Sequence, residues 1–162
     1  MRSFFPLTLS ILLLGSGLQA APKAPAVLAV KARAQYADYY GTMLTSDKKA
    51  LIGGDKVYRW GITNEKPLEM AYFGAYLKPK GKFSHFKASL YADPGLKADL
   101  QFQIRAEKYN GAVLSSETLA PGETKEIDVE IAGVQQVYIG TELKISHDKA
   151  RRIIIGEPTF IK

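Results

Sequence analysis

The chain has 162 residues, 22 Lys+Arg against 16 Asp+Glu for a formal charge of +6, and a 46% hydrophobic composition with seven Phe, nine Tyr and one Trp. This is one domain of ordinary size with enough apolar material for a core, which excludes global disorder. The absence of Cys excludes a disulfide scaffold, a thiolate zinc site, an iron–sulfur cluster and a cysteine nucleophile, and two His, at 85 and 147, leave little for a His-rich metal centre or a catalytic triad.

Residues 1–20 read as a secretory signal peptide. Met1-Arg2-Ser3 brings one positive charge, Phe4 to Leu14 an apolar run, and Gly15 to Ala20 small and neutral residues, with cleavage expected after Ala20. The apolar run is shorter than the roughly 20 residues a spanning helix needs, so no transmembrane segment is expected. Cleavage would leave 142 residues at a formal charge of +5. A secreted, periplasmic or cell-envelope protein, bacterial rather than eukaryotic, is therefore expected.

Residues 21–34 read as a flexible leader, with Pro22 and Pro25 opposing a regular start, and residues 35–162 as one domain. Val30–Ala37 is open between a short helix and a first strand. Beyond it, short apolar segments recur with period two. Strands are expected over Val57–Gly61, Leu68–Leu77, Phe83–Tyr91, Leu100–Lys108, Ala112–Leu119, Thr124–Ile131, Val134–Ile145 and Arg152–Ile161. Turn residues fall between them at Gly53-Gly54-Asp55, Lys80-Gly81, Asp93-Pro94-Gly95, Asn110-Gly111, Pro121-Gly122 and Ala132-Gly133. Asn110-Gly111 is the strongest hairpin signal and predicts a type I′ turn. The pattern predicts an all-β, antiparallel sandwich or barrel.

Motifs for chemistry are scarce. No nucleophile elbow lies beyond residue 20, and the chain has no zinc-protease helix, phosphate loop or dinucleotide fingerprint. Asp93, Asp99, Glu107, Glu123, Asp128 and Glu130 read as the wet faces of strands and turns, so no enzyme is expected. Asp93 has the chemistry to join backbone carbonyls in a calcium site, but a turn acid suffices as its explanation and no cofactor is expected. The basic residues are scattered as Lys48-Lys49, Lys78 to Lys82 and Arg151-Arg152 among acids, which argues against a nucleic-acid partner.

Binding residues are sought at rims and loops. Trp60, with Tyr58 and Arg59, sits where a strand meets a loop. It is either a core tryptophan, as most are in small sandwiches, or a platform for the C–H face of a sugar. Tyr109 and Asn110 at a hairpin tip, and His147, Asp148 and Arg151 in a polar break, complete the candidate ligand-binding set. His85 is expected on a strand surface.

From Trp60 onward the order of features resembles the NPCBM carbohydrate-binding module family. The residues that carry the resemblance are Tyr76 to Ala88, Asp93-Pro94-Gly95, Leu100 to Ile104, Ile127 to Val134, and His147-Asp148 through Ile154 to Pro158. The chain departs from the family at Tyr91-Ala92, where a Gly is usual, and at Lys149 to Arg152, where a Trp is. The resemblance implies an exported bacterial jelly-roll β-sandwich of the galactose-binding type. The expected function is thus a non-catalytic module that binds carbohydrate or another cell-surface polymer. The alternative is a structural component of the envelope that meets a protein partner and no sugar.

Overall fold

The computed structural model describes residues 27–29, 35–36, 42–64, 72–142 and 152–162. Thirteen strands follow in chain order: β1 Val27–Ala29, β2 Gln35–Tyr36, β3 Thr42–Thr45, β4 Ile52–Gly53, β5 Lys56–Val57, β6 Gly61–Asn64, β7 Tyr72–Leu77, β8 His85–Ala92, β9 Leu100–Ala106, β10 Val113–Leu119, β11 Thr124–Glu130, β12 Val137–Glu142 and β13 Ile153–Ile161. Among the described residues none is helical.

The strands form two main antiparallel sheets. The first has the order β11-β8-β13-β6-β3, with β1 also on β13; the second runs β10-β9-β12-β7-β2. Alternation along each strand decides which face turns inward. On β9 Leu100, Phe102 and Ile104 are buried between the sheets, while Gln101 is exposed and Gln103 and Arg105 are partly so. On β11 Ile127 and Val129 point in, and Asp128 and Glu130 point out. Phe73, Phe86 and Phe102 are fully buried, and the rings of Phe73 and Phe102 meet edge-on at 6.4 Å. Each such ring contributes about 1.5–3 kcal/mol relative to exposure.

The expected all-β sandwich is the one observed; six of its strands, β7 and β9 to β13, fall within expected segments, and β8 runs one residue past its own, to Ala92. Corrections are local. The stretch read as a flexible leader contains β1, which pairs Val27 with Ile161 and Ala29 with Thr159. The strand expected over Val57–Gly61 is broken between Val57 and Gly61, because the chain leaves the small β4–β5 hairpin there to enter the first sheet. Leu68 to Ala71 and Leu143 to Ile145, expected in strands, lie outside the described residues.

The Asn110-Gly111 turn is not type I′. That turn needs positive φ at both central residues, and neither Asn110 nor Gly111 has it; Glu107 does, at 66°. The connection spans residues 107–112, with the Gly111 N–H bonded to the Lys108 carbonyl at 2.8 Å. Gly111 is required for a different reason: a Cβ there would stand 1.8 Å from the Ala106 carbonyl oxygen.

The β4–β5 hairpin turns through Gly54, at φ 61°, and lies over the outer face of the first sheet. Leu51, Tyr58, Tyr91 and Ile154 form a second buried cluster beneath it. The Tyr58 hydroxyl meets Ser89 Oγ at 2.9 Å, and its ring occupies the space a side chain at Gly156 would need.

Candidate functional site

The outer face of the second sheet carries a groove of about 380 Å³ lined by Gln103, Arg105, Tyr109, Asn110, Tyr138, Gly140 and Thr141. Its floor comes from strand register. Tyr138 and Gly140 of β12 lie opposite Arg105 and Gln103 of β9 on one side and Tyr76 and Gly74 of β7 on the other. The Tyr138 ring leans along its strand over two glycines: a Cβ at Gly140 would lie 2.3 Å from its hydroxyl oxygen, and one at Gly74 would lie 2.5 Å from it. The paired glycines leave the hollow that this ring fills. Tyr76 packs against Tyr138 at 5.1 Å with a 53° tilt.

The β9–β10 connection forms one wall. Glu107, in a conformation that costs an L-residue roughly 1–2 kcal/mol, is held there by three hydrogen bonds. Its N–H donates to the Gln136 carbonyl at 2.7 Å, its carboxylate accepts from the Gln135 N–H at 3.0 Å, and its carbonyl accepts from Gln136 Nε2 at 2.6 Å. The Tyr109 N–H donates to the Tyr76 hydroxyl at 3.3 Å, while the Tyr109 side chain stays 65% exposed.

Arg105 spans the wall and the floor. Its Nε donates to Gln103 Oε1 at 3.0 Å, Nη2 donates to the same oxygen, and Nη1 donates to the Gly111 carbonyl at 2.8 Å. The guanidinium is thereby fixed in the groove. Burial pushes the Tyr138 hydroxyl pKa above its ordinary value; Tyr76 reinforces the shift and Arg105 opposes it. The hydroxyl therefore stays protonated and available as donor and acceptor at neutral pH. The groove offers aromatic faces and planar hydrogen-bonding groups side by side, the combination that holds a hydroxylated ring.

A second depression, of about 360 Å³, lies on the outer face of the first sheet between the β4–β5 hairpin and Lys87, Ser89 and Glu157. Its polar groups are largely engaged: Lys56 with Glu126 at 2.6 Å and Tyr58 with Ser89 at 2.9 Å within it, and Lys87 with Asp128 at 2.8 Å and Glu157 with Arg59 at 3.0 Å at its border.

The sequence candidates divide. Tyr109 and Asn110 line the groove as expected of a loop tip. Trp60 does not form a platform: it is 6% exposed, too little for a sugar to stack on, and it is the core tryptophan of the two readings. Tyr58 is 5% exposed, sealed under the hairpin against Ser89 and Gly156. Arg59 is exposed, but its guanidinium is taken bidentately by Glu157, at 3.0 and 3.1 Å. His147, Asp148 and Arg151 lie outside the described residues. The strand ends that flank them, Glu142 and Ile153, belong to the opposite end of the sandwich from the Tyr109 turn.

Asp93 behaves as a turn acid, its carboxylate accepting from the Gly95 N–H at 2.7 Å and the Arg152 N–H at 3.0 Å. Among the described residues no three His, Asp or Glu converge as a metal site. Sequence reasoning missed Gln103, Arg105, Tyr138 and Gly140. The first two lie in the strand expected over Leu100–Lys108, with no role assigned; the available signal was Tyr138 two residues before Gly140 on the outward positions of a strand.

The sequence matches no family model and no curated protein. In fold the chain is similar to several solved modules. It aligns with the CBM51 of Clostridium perfringens GH95, solved in complex with methyl-galactose, at a TM-score of 0.57 and 12% identity, over 83% of this chain and 99% of that one. With the structure of CBM51-2 in complex with GlcNAc and INT domains of Clostridium perfringens ZmpB the score is 0.57 and the identity 9%, over 81% of this chain but 29% of that one. The chain thus spans less than a third of that structure. The K1 cleaved adhesin domain of Lys-gingipain from Porphyromonas gingivalis W83 gives 0.57 and 9%, over 85% and 98%. At these identities the likeness is one of fold, the antiparallel β-sandwich.

Proposed function

We propose that this chain is an exported, non-catalytic carbohydrate-binding module of the NPCBM type, a jelly-roll sandwich that acts at the cell envelope or outside the cell. The observation that carries this reading is the groove itself, where Tyr109 and Tyr138 present ring surface beside the hydrogen-bonding heads of Arg105 and Gln103. Its lining of amide, guanidinium, phenol and glycine suits recognition rather than bond cleavage. The fold it shares with the CBM51 modules and the signal-like residues 1–20 support the same reading.

The test is binding of the full chain to immobilised glycans, neutral and acidic, beside its Tyr109→Ala variant. Tyr109 is exposed, so the variant is expected to fold normally and to lose at least fivefold in affinity as one stacking surface disappears. Unchanged binding would remove the groove from the interaction.

One observation favours the envelope-component reading. Ile52 and Val57 face each other across the β4–β5 hairpin and are 51% and 56% exposed, an apolar pair held out to solvent. If a protein partner docks there, crosslinking to it is lost in an Ile52→Lys, Val57→Lys double variant while glycan binding is absent throughout.

A further inference from the structure

We infer that the groove reads an acidic sugar, with Arg105 as the group that meets its carboxylate. This deepens the carbohydrate reading above and rests on it.

The argument begins with charge. On the outer face of the first sheet and along its edge, the cations have acids: Lys56 with Glu126, Arg59 with Glu157, Lys87 with Asp128, and Lys125 with Glu117. Arg105 differs. It is partly buried, and its hydrogen bonds go to neutral oxygens, Gln103 Oε1 and the Gly111 carbonyl. Among the described residues it has no carboxylate partner.

The acid closest in sequence, Glu107, has its carboxylate on the Gln135 N–H at 3.0 Å, and register sets no acid opposite Arg105. The positions opposite and beside it are Gln103 on β9, Val113 and Ser116 on β10, Tyr76 on β7, and Tyr138 and Gly140 on β12.

A half-buried cation without an anion loses hydration and gains little in return. What that loss leaves is a guanidinium locked in one orientation, with one N–H unused on each of Nη1 and Nη2. Two donors on one planar fork match the two oxygens of a carboxylate, in geometry and in charge. The tyrosines beside it set where the rest of the ligand lies. A pyranose ring stacked on Tyr109 or Tyr138 puts a carboxylate carried on that ring within reach of Arg105, and leaves Gln103 Nε2 for a hydroxyl. A simple polyanion without a sugar ring would use the charge and leave the aromatic surface bare.

The experiment uses the full chain, calorimetry, and matched pairs of ligands that differ in their acid: polygalacturonate against its methyl ester, and sialyllactose against lactose. Poly-L-glutamate serves as a polyanion without a ring. At least one acidic member is expected to bind about tenfold or more tighter than its uncharged partner, and tighter than poly-L-glutamate. Arg105→Gln is expected to abolish that difference, and Arg105→Lys, which keeps the charge but loses the fork, to recover little of it. Equal binding of acidic and neutral members, or a difference that survives Arg105→Gln, overturns the inference and leaves the carbohydrate reading standing. Poly-L-glutamate binding as tightly as the sugars reduces the effect to charge attraction and also overturns it. No binding to any saccharide overturns the carbohydrate reading itself. If Arg105→Gln proves unfolded by circular dichroism, the matched pairs measured on the wild-type chain decide the matter alone.

Discussion

At the scale of single residues, two aromatic side chains show how far a strand position determines a role. Trp60 stands at the entry to β6 and is 6% exposed, its carbonyl accepting the Glu157 N–H at 3.0 Å. Tyr138 stands mid-strand, yet its ring lies against two glycines in an open groove. Trp60 is the chain's single tryptophan, so fluorescence reports on it alone. Its emission is expected to be blue-shifted in the folded protein and protected from iodide, with quenching appearing only on unfolding; strong quenching in the native state would contradict the burial described here. In the sequence Trp60 sat at a strand end, where both roles were open, and the strand that meets its backbone, β13 at Glu157, lies far along the chain. The β13 ladder shifts register between Gly156 and Thr159, where Glu157 has positive φ and Pro158 follows. Neither signal is local to Trp60. Tyr109, by contrast, was legible as an exposed tip, since turn residues surround it.

Among elements, the informative pair is β10 and β11, edge strands of opposite sheets. Lys125 on β11 meets Glu117 on β10 at 2.7 Å, across the open side of the sandwich. The hydrogen bond from Lys125 holds the Glu117 carboxyl below its ordinary pKa, aided by Ser115 and opposed by partial burial, and Lys125 is raised in turn. A carboxyl whose pKa is depressed on folding stabilises the fold above its unfolded value, and this is lost as pH falls through the folded value. Replacing Glu117 by Gln is therefore expected to lower Tm by roughly 1–3 °C at pH 7 and by nothing measurable below the folded pKa, where the wild type too is protonated. Parallel thermal melts at neutral and strongly acidic pH test this; an equal deficit at both would point to packing.

The strands themselves were readable because alternation is a local property: Phe102 and Ile104 against Gln101, Gln103 and Arg105 needs no partner to be seen. The 107–112 connection was not. Asn110-Gly111 resembles a tight primed turn, but the close approach of Gly111 to Ala106 and the bonds from Gln135 and Gln136 to Glu107 select a longer one. Those bonds join residues some 28 apart in sequence, beyond what turn chemistry can announce.

For the molecule as a whole, stability rests on the layer between the sheets. Phe102 touches Phe73 edge-on within it, and both are fully buried. Phe102→Ala is expected to cost about 3–5 kcal/mol, as transfer and cavity terms combine. Urea unfolding would show this as a lower midpoint at unchanged slope. A cost below 1 kcal/mol would mean that the sheets close over the gap.

The β4–β5 hairpin has one last effect. It works as a roof over one broad side of the sandwich, and among the described residues no such hairpin covers the other. On the carbohydrate reading proposed above, a molecule built that way would be two-faced, laying its uncovered side on a polymer and turning a shuttered, salt-laced back to the medium. A lone copy would then be a tile rather than a bridge, suited to coat a fibre and not to tie two fibres together.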